Sequence, residues 1–295
     1  MLLPAGTACV LDRLPTAPGT DRIVVEAVLN PGASELVVFV NHLLTGKVDS
    51  TSPAPPALPT AVTDAAVTLT DADGTQATGQ QEYALHDTTH IPLGVYVVRN
   101  AAPANATGAT TDNALPFVPG HHYLLRVSLP DGREVLGTTT VPDSWPSKTR
   151  DVRAFDKARD TLRLAWSPVA GAWGYEILVK GPTGTRQDFT RDTTVAIAGT
   201  VEYYTPTGVQ DVLLPESPAE VAIGAVDRNY YDYYRSLPNP LTGDTRIMHM
   251  TGGLGLFGSY VLLRLVVLDV SSSGTSARSV SPDIRSTSAS SPARR

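Results

Sequence analysis

The feature that most constrains this chain is a repeated unit. Short runs rich in Val, Ile, Leu and Thr are each closed by a cluster of Gly, Pro, Asn or Asp. Ile23 to Val28 and Leu36 to Val40 flank Asn30-Pro31-Gly32. Ala66 to Thr70 alternates with period two and meets Asp71-Ala72-Asp73-Gly74, a hairpin signal. His122 to Leu129 and Glu134 to Val141 flank Pro130-Asp131-Gly132. Between these runs lie a Pro-rich loop from Ser50 to Thr60, a strand ending at Tyr96-Val97-Val98, and a small-residue loop from Ala101 to Asn113. No long 3.6-residue period intervenes, and short strands at near-regular spacing predict a β-sandwich.

Pro142 to Thr149 reads as a joint, after which a second strand series begins. Thr161 to Trp166 alternates, Tyr175 to Val179 follows a Pro168/Gly171 turn, Gly181 to Gly184 turns again, and Glu220 to Asp227 has the composition of a buried strand. This series resembles a fibronectin type III module, with Trp166, Pro168, Gly174 and Tyr175 matching its Trp/Tyr pattern and Val221 to Asp227 its sixth strand. Ala219-Glu220 stands where the module carries its corner tyrosine, so that corner is expected to be absent. The last strand, Tyr260 to Asp269, is delayed by a long insertion. The expected fold is all-β, as two tandem β-sandwich domains. Residues 21–142 form an Ig-like or carboxypeptidase-regulatory-like sandwich. Residues 150–270 form a fibronectin type III-like sandwich with that insertion before its last strand. Residues 1–20 read as the remnant of a lipoprotein signal and a tether, and 271–295, with 10 Ser in 25 residues, as a disordered tail.

Composition narrows the function classes. At 295 residues the chain is long enough for two cores, and its single cysteine excludes an internal disulfide. A net charge of -6 gives no basic field for nucleic acid. No apolar run reaches the roughly 20 residues of a membrane helix. Thr7-Ala8-Cys9 matches the end of a lipobox, with Gly6 where Leu is usual, so Cys9 is the expected lipidation site and a lipid anchor the expected link to membrane.

Gly252-Gly253-Leu254-Gly255-Leu256-Phe257-Gly258 carries a further resemblance. Together with Cys9, the Ala65 to Gly74 strand, Trp166/Tyr175 and the tyrosine-rich Tyr230 to Tyr234, it is similar in order to a family of bacterial surface lipoproteins known as domain-of-unknown-function family 4249. The resemblance implies an outer-membrane lipoprotein associated with TonB-dependent receptors. It supplies no catalytic residue.

The remaining constellations are weak. Gly253 to Gly258 fits a Gly-x-Gly-x-x-Gly fingerprint, but the segment after it is β-like and no acidic residue lies about twenty positions on, so it reads as a bend that lets backbones approach. His86 and His90 would converge on a metal only on a helix, and Thr88, Thr89 and Pro92 argue for surface loops. Asp71 and Asp73 read as a turn rather than a calcium loop, and the Asn105 sequon is given no meaning. A hydrolase would need a pair such as Asp227 with Asp232 facing one cleft. Tyr230, Tyr231, Tyr233 and Tyr234 form a candidate binding surface, although their spacing suits a short helix packed on the core even better. The sequence therefore reads as a non-enzymatic envelope lipoprotein without cofactor or metal, monomeric outside its complex. Its expected partner is an outer-membrane receptor or an extracellular polymer, and the alternative is a carbohydrate-binding accessory module.

Overall fold

A computed structural model describes residues 22–43, 61–86, 89–101, 113–145, 149–156, 160–181, 184–198, 200–205, 208–213, 219–236 and 246–271. Cys9, the Ser50 to Thr60 loop, Asn105 and the tail beyond Ser271 lie outside these residues.

The first half contains β1 (Arg22–Leu29), β2 (Glu35–Leu43), β3 (Ala66–Asp71), β4 (Gln76–Thr78), β5 (Gln80–His86), β6 (Thr89–Asn100), β7 (Ala114–Leu115), β8 (His122–Ser128) and β9 (Glu134–Thr140). Alternation decides what faces inward. Ile23, Val25, Ala27 and Leu29 of β1 and Leu36, Val38 and Val40 of β2 meet Val67, Leu69, Tyr123, Leu125, Val127 and Val135 from the opposing sheet in one buried core. That opposing sheet runs β9-β8-β3-β4, while β1, β2, β6 and β5 form the other. Asp71 makes the predicted hairpin turn, its Oδ1 accepting from the Asp73 and Thr75 amides at 2.9 Å each.

The second half contains β10 (Thr149–Asp156), β11 (Thr161–Ala165), β12 (Gly174–Gly181), β13 (Gly184–Thr190), β14 (Thr194–Ala198), β15 (Thr200–Thr205), β16 (Gly208–Leu213) and β17 (Ala219–Val226). The helix α1 (Arg228–Arg235), β18 (Met250–Thr251) and β19 (Leu254–Ser271) complete it. Trp166 and Tyr175 meet edge-on at 5.1 Å inside a core shared with Ile177, Val221, Ile223 and Val266. The Tyr175 hydroxyl accepts from the Val169 amide at 3.0 Å, which holds the connecting loop.

The two halves are joined by the glycine run. The sequence reading places Asn229 to Gly258 as an insertion within the second module, yet part of it pairs with the first sandwich. β18 adds to β9 through Met250↔Gly137 and Thr251↔Leu136. After a turn, β19 adds in parallel to β1, from Val24↔Leu254 to Leu29↔Ser259. One short segment thus extends both sheets of the first sandwich, and Phe257 enters its core. The same strand then continues between β17 and β10 in the second half. At 18 residues it is about 60 Å long.

Glycine is required at two of these positions. Gly252 and Gly255 have φ of +80° and +115°, and a Cβ on either would sit 2.0 Å from a backbone oxygen, of Glu134 and Val25 respectively. The run is a strand junction, as its β-like sequel suggests, and not the strand-to-helix turn of a dinucleotide site.

Candidate functional site

The helix α1 sits where the two halves meet. Its sequence, Arg-Asn-Tyr-Tyr-Asp-Tyr-Tyr-Arg, has poor intrinsic helix propensity, so capping and packing must hold it. Asp227 is the N-cap, its Oδ1 accepting from the Tyr230 amide at 2.9 Å. The same oxygen accepts from the Ser259 amide at 3.1 Å, and Oδ2 accepts from the Thr139 hydroxyl at 2.7 Å. Asn229 donates to the Thr138 and Phe257 carbonyls at 2.5 and 2.8 Å. The first turn of α1 therefore stitches β9 to β19. Burial pushes the Asp227 carboxyl above the usual carboxylate range, against the lowering effect of its donors.

Tyr230, Tyr231 and Tyr233 are 7%, 6% and 9% exposed and belong to a third buried cluster with Val226 and Leu256. This agrees with the helix spacing read from the sequence. Two glycines let the helix approach. A Cβ on Gly174 would lie 2.5 Å from the Tyr231 ring, and one on Gly258 would lie 3.0 Å from Tyr230 Cβ. Only Tyr234 among the four is half-buried. The hydroxyl of Tyr233 donates to Glu26 at 2.5 Å and that of Tyr230 donates to Glu176 at 3.1 Å. Burial first, and these carboxylates second, push the Tyr230 and Tyr233 phenols well above their usual range.

Beside this cluster the outward face of the sheet is left hollow. A cleft of about 480 Å³ is bounded by Tyr230, Tyr234 and Tyr260 on one side and by Glu176, Lys180 and Glu220 on the strands below. Such a volume falls within the range of small-molecule pockets. Glu176 is 8% exposed, and its Oε1 accepts from Tyr230 and from Gln187. Asn30 donates to the Tyr260 hydroxyl at 2.9 Å, tying β1 to the rim. Sequence reasoning missed Glu176, Tyr260 and Asn30 as site residues. The available signal was alternation, since Glu176 stands between inward-facing Tyr175 and Ile177 and so must point outward.

A smaller cavity of about 230 Å³ opens on the other side of the helix N-terminus, between His122, the Thr138 to Thr140 strand, Trp173 and Arg228. Trp173 is 39% exposed and carries the guanidinium groups of Arg191 and Arg228 at 4.5 and 5.0 Å from its ring centre.

The structure does not gather the other candidates. Asp227 is occupied as a cap, and Asp232 bonds Arg228 at 3.3 Å and His249 at 3.0 Å. His86 and His90 lie on the paired strands β5 and β6, not in a loop, with Leu85↔His90 in register. Among the described residues no group of three His, Cys, Asp or Glu is placed to hold a metal ion, and no helix is long and apolar enough to cross a membrane.

A family model described as "Domain of unknown function (DUF4249)" matches residues 13–261, and the chain belongs to that family. No curated protein matches it. Among solved structures, a two fibronectin type III domain segment from chicken tenascin is 12% identical, with 70% of this chain and 91% of that chain covered and a TM-score of 0.21. A pullulanase from Anoxybacillus sp. LM18-11 is also 12% identical, with 76% of this chain and 27% of that chain covered and a TM-score of 0.19. Superpositions this loose add nothing to what the strand order already establishes.

Proposed function

For this member of a family of unknown function, we propose a non-enzymatic role as a cell-envelope lipoprotein that binds or assembles with a partner, an outer-membrane TonB-dependent receptor. The observation that carries the reading is the cleft beside α1, a hollow of about 480 Å³ lined by residues of both halves. Its lining supports binding over bond cleavage. Glu220 lies opposite Lys180 in register, four residues along β12 from Glu176. The two positions are then about 13 Å apart along the strand, so the backbone does not set the two carboxylates side by side.

The test is affinity capture from native envelopes with the tagged full chain, the bound material being identified by mass spectrometry. Recovery of one TonB-dependent receptor is the expected result. Recovery of glycan without receptor would replace this reading with a polymer-binding one. The anchor is tested separately. With its full leader present, Cys9→Ser is expected to move the protein from the membrane fraction to the soluble one, and unchanged fractionation would remove the anchor.

A further inference from the structure

We propose that the cleft is a receptor for a cationic side chain, an arginine or lysine carried by the partner. This identifies the ligand chemistry of the site above and rests on the assembly reading. One wall of the cleft is aromatic. Tyr230 and Tyr234 have ring centres 4.6 Å apart and tilted by 48°, and Tyr230 and Tyr260 have centres 6.0 Å apart and tilted by 42°. Rings set at these angles offer no single flat shelf for a sugar ring, while the electron-rich face of an aromatic ring attracts a cation.

The floor supplies the countercharge. Lys180 and Glu220 face each other across β12 and β17 and offset one another, which leaves Glu176 as the unbalanced charge of the cleft. Oε1 of Glu176 is taken by Tyr230 and Gln187, while Oε2 accepts no hydrogen bond from any described residue. A carboxylate so largely removed from water, with one oxygen unused beside three aromatic rings, is set to accept a charge-assisted hydrogen bond. Gly224 keeps the space open. A Cβ there would lie 3.8 Å from both Glu176 Oε2 and the Tyr260 ring, so any larger side chain would stand where the cation belongs.

The probe is the neutral-ended peptide acetyl-Gly-Arg-Gly-amide, titrated into the full chain and monitored by the NMR shifts of the tyrosine rings. Acetyl-Gly-Gln-Gly-amide and maltotriose are the controls. Saturable shifts with the arginine peptide alone are expected. Glu176→Gln, which preserves the acceptor for Tyr230, should weaken binding about tenfold or more. Gly224→Val, whose Cβ meets only ordinary contacts and whose branched side chain suits a strand, should abolish binding, with an unchanged thermal midpoint checking that the fold is kept. No saturation with the arginine peptide, equal binding by both variants, or saturation by maltotriose in its place would overturn the proposal. If Glu176→Gln and Gly224→Val still capture the same receptor as the parent chain, the cation site fails while the assembly reading stands. If the peptide saturates the cleft but envelopes yield no receptor, the cation site stands and the assembly reading fails.

Discussion

Replacing Asp227 by alanine is expected to lower the free energy of unfolding by about 3 kcal/mol. The sum is a lost helix cap, about 1 kcal/mol, together with the buried Ser259 amide left without an acceptor, about 2 kcal/mol, while the Thr139 hydroxyl can still donate to Ser259 Oγ at 2.8 Å. Asp227→Asn should cost less than about 1 kcal/mol. Its carbonyl oxygen can still accept from the Tyr230 and Ser259 amides, and its NH₂ can donate to the Thr139 hydroxyl. Urea unfolding with unchanged m-values measures both. A loss under about 1 kcal/mol in the alanine variant would show that the two halves do not depend on this residue.

The asparagine variant also reports the sign of the pH dependence. The folded-state pKa of Asp227 is raised above its ordinary value, so the fold prefers the neutral acid. Between the ordinary and raised values the native state binds more protons than the unfolded one, and stability falls as pH rises through that window. The aspartate chain should therefore lose stability relative to Asp227→Asn as pH climbs from about 4, and recover it on acidification. A difference that ran the other way would mean that the hydrogen bonds outweigh burial at this site.

The second large effect concerns the shared segment. A chain ending at residue 145 keeps most of the strands of the first sandwich but loses β18 and the first part of β19. It forfeits six paired positions along β1, two along β9, and the buried Phe257 ring. Loss of a buried Phe alone costs about 3–5 kcal/mol, comparable to the whole stability of many small domains. This fragment is expected to show no cooperative thermal transition and collapsed amide dispersion in NMR. A peptide spanning 246–262, added in trans, is expected to restore both. A sharp transition in the fragment alone would show the first sandwich to be self-sufficient.

Much of the strand pattern was legible because it is local. Alternation in Ile23 to Val28 and in Thr161 to Trp166, the turn at Asp71 to Gly74, and the Trp166/Tyr175 pair each carry their signal within a few residues. The tyrosine spacing in 230–234 likewise pointed to a buried helix. What could not be read was the destination of the glycine run. Its partners, β1 and β9, lie more than a hundred residues upstream, and nothing in Gly252 to Gly258 names them. The site was hidden for a related reason. The outward positions of β12, β17 and β19 look like solvent-facing slots until α1 folds over their end and turns Glu176 into a nearly buried carboxylate. Asp227 was read as a strand end, although an aspartate immediately before a helix-spaced run is also an N-cap signal.

The parallel pairing of β1 with β19 carries a mechanical consequence. β1 is entered at Arg22 and β19 is left at Ser271, so a force drawing those two ends apart slides the strands past each other lengthwise. The bonds from Val24↔Leu254 to Leu29↔Ser259 then bear the load together as a shear clamp, where a hairpin pulled at its open end would surrender them one by one. Resistance to stretching is thus concentrated at the seam that also joins the two halves, and both would yield in a single event under tension.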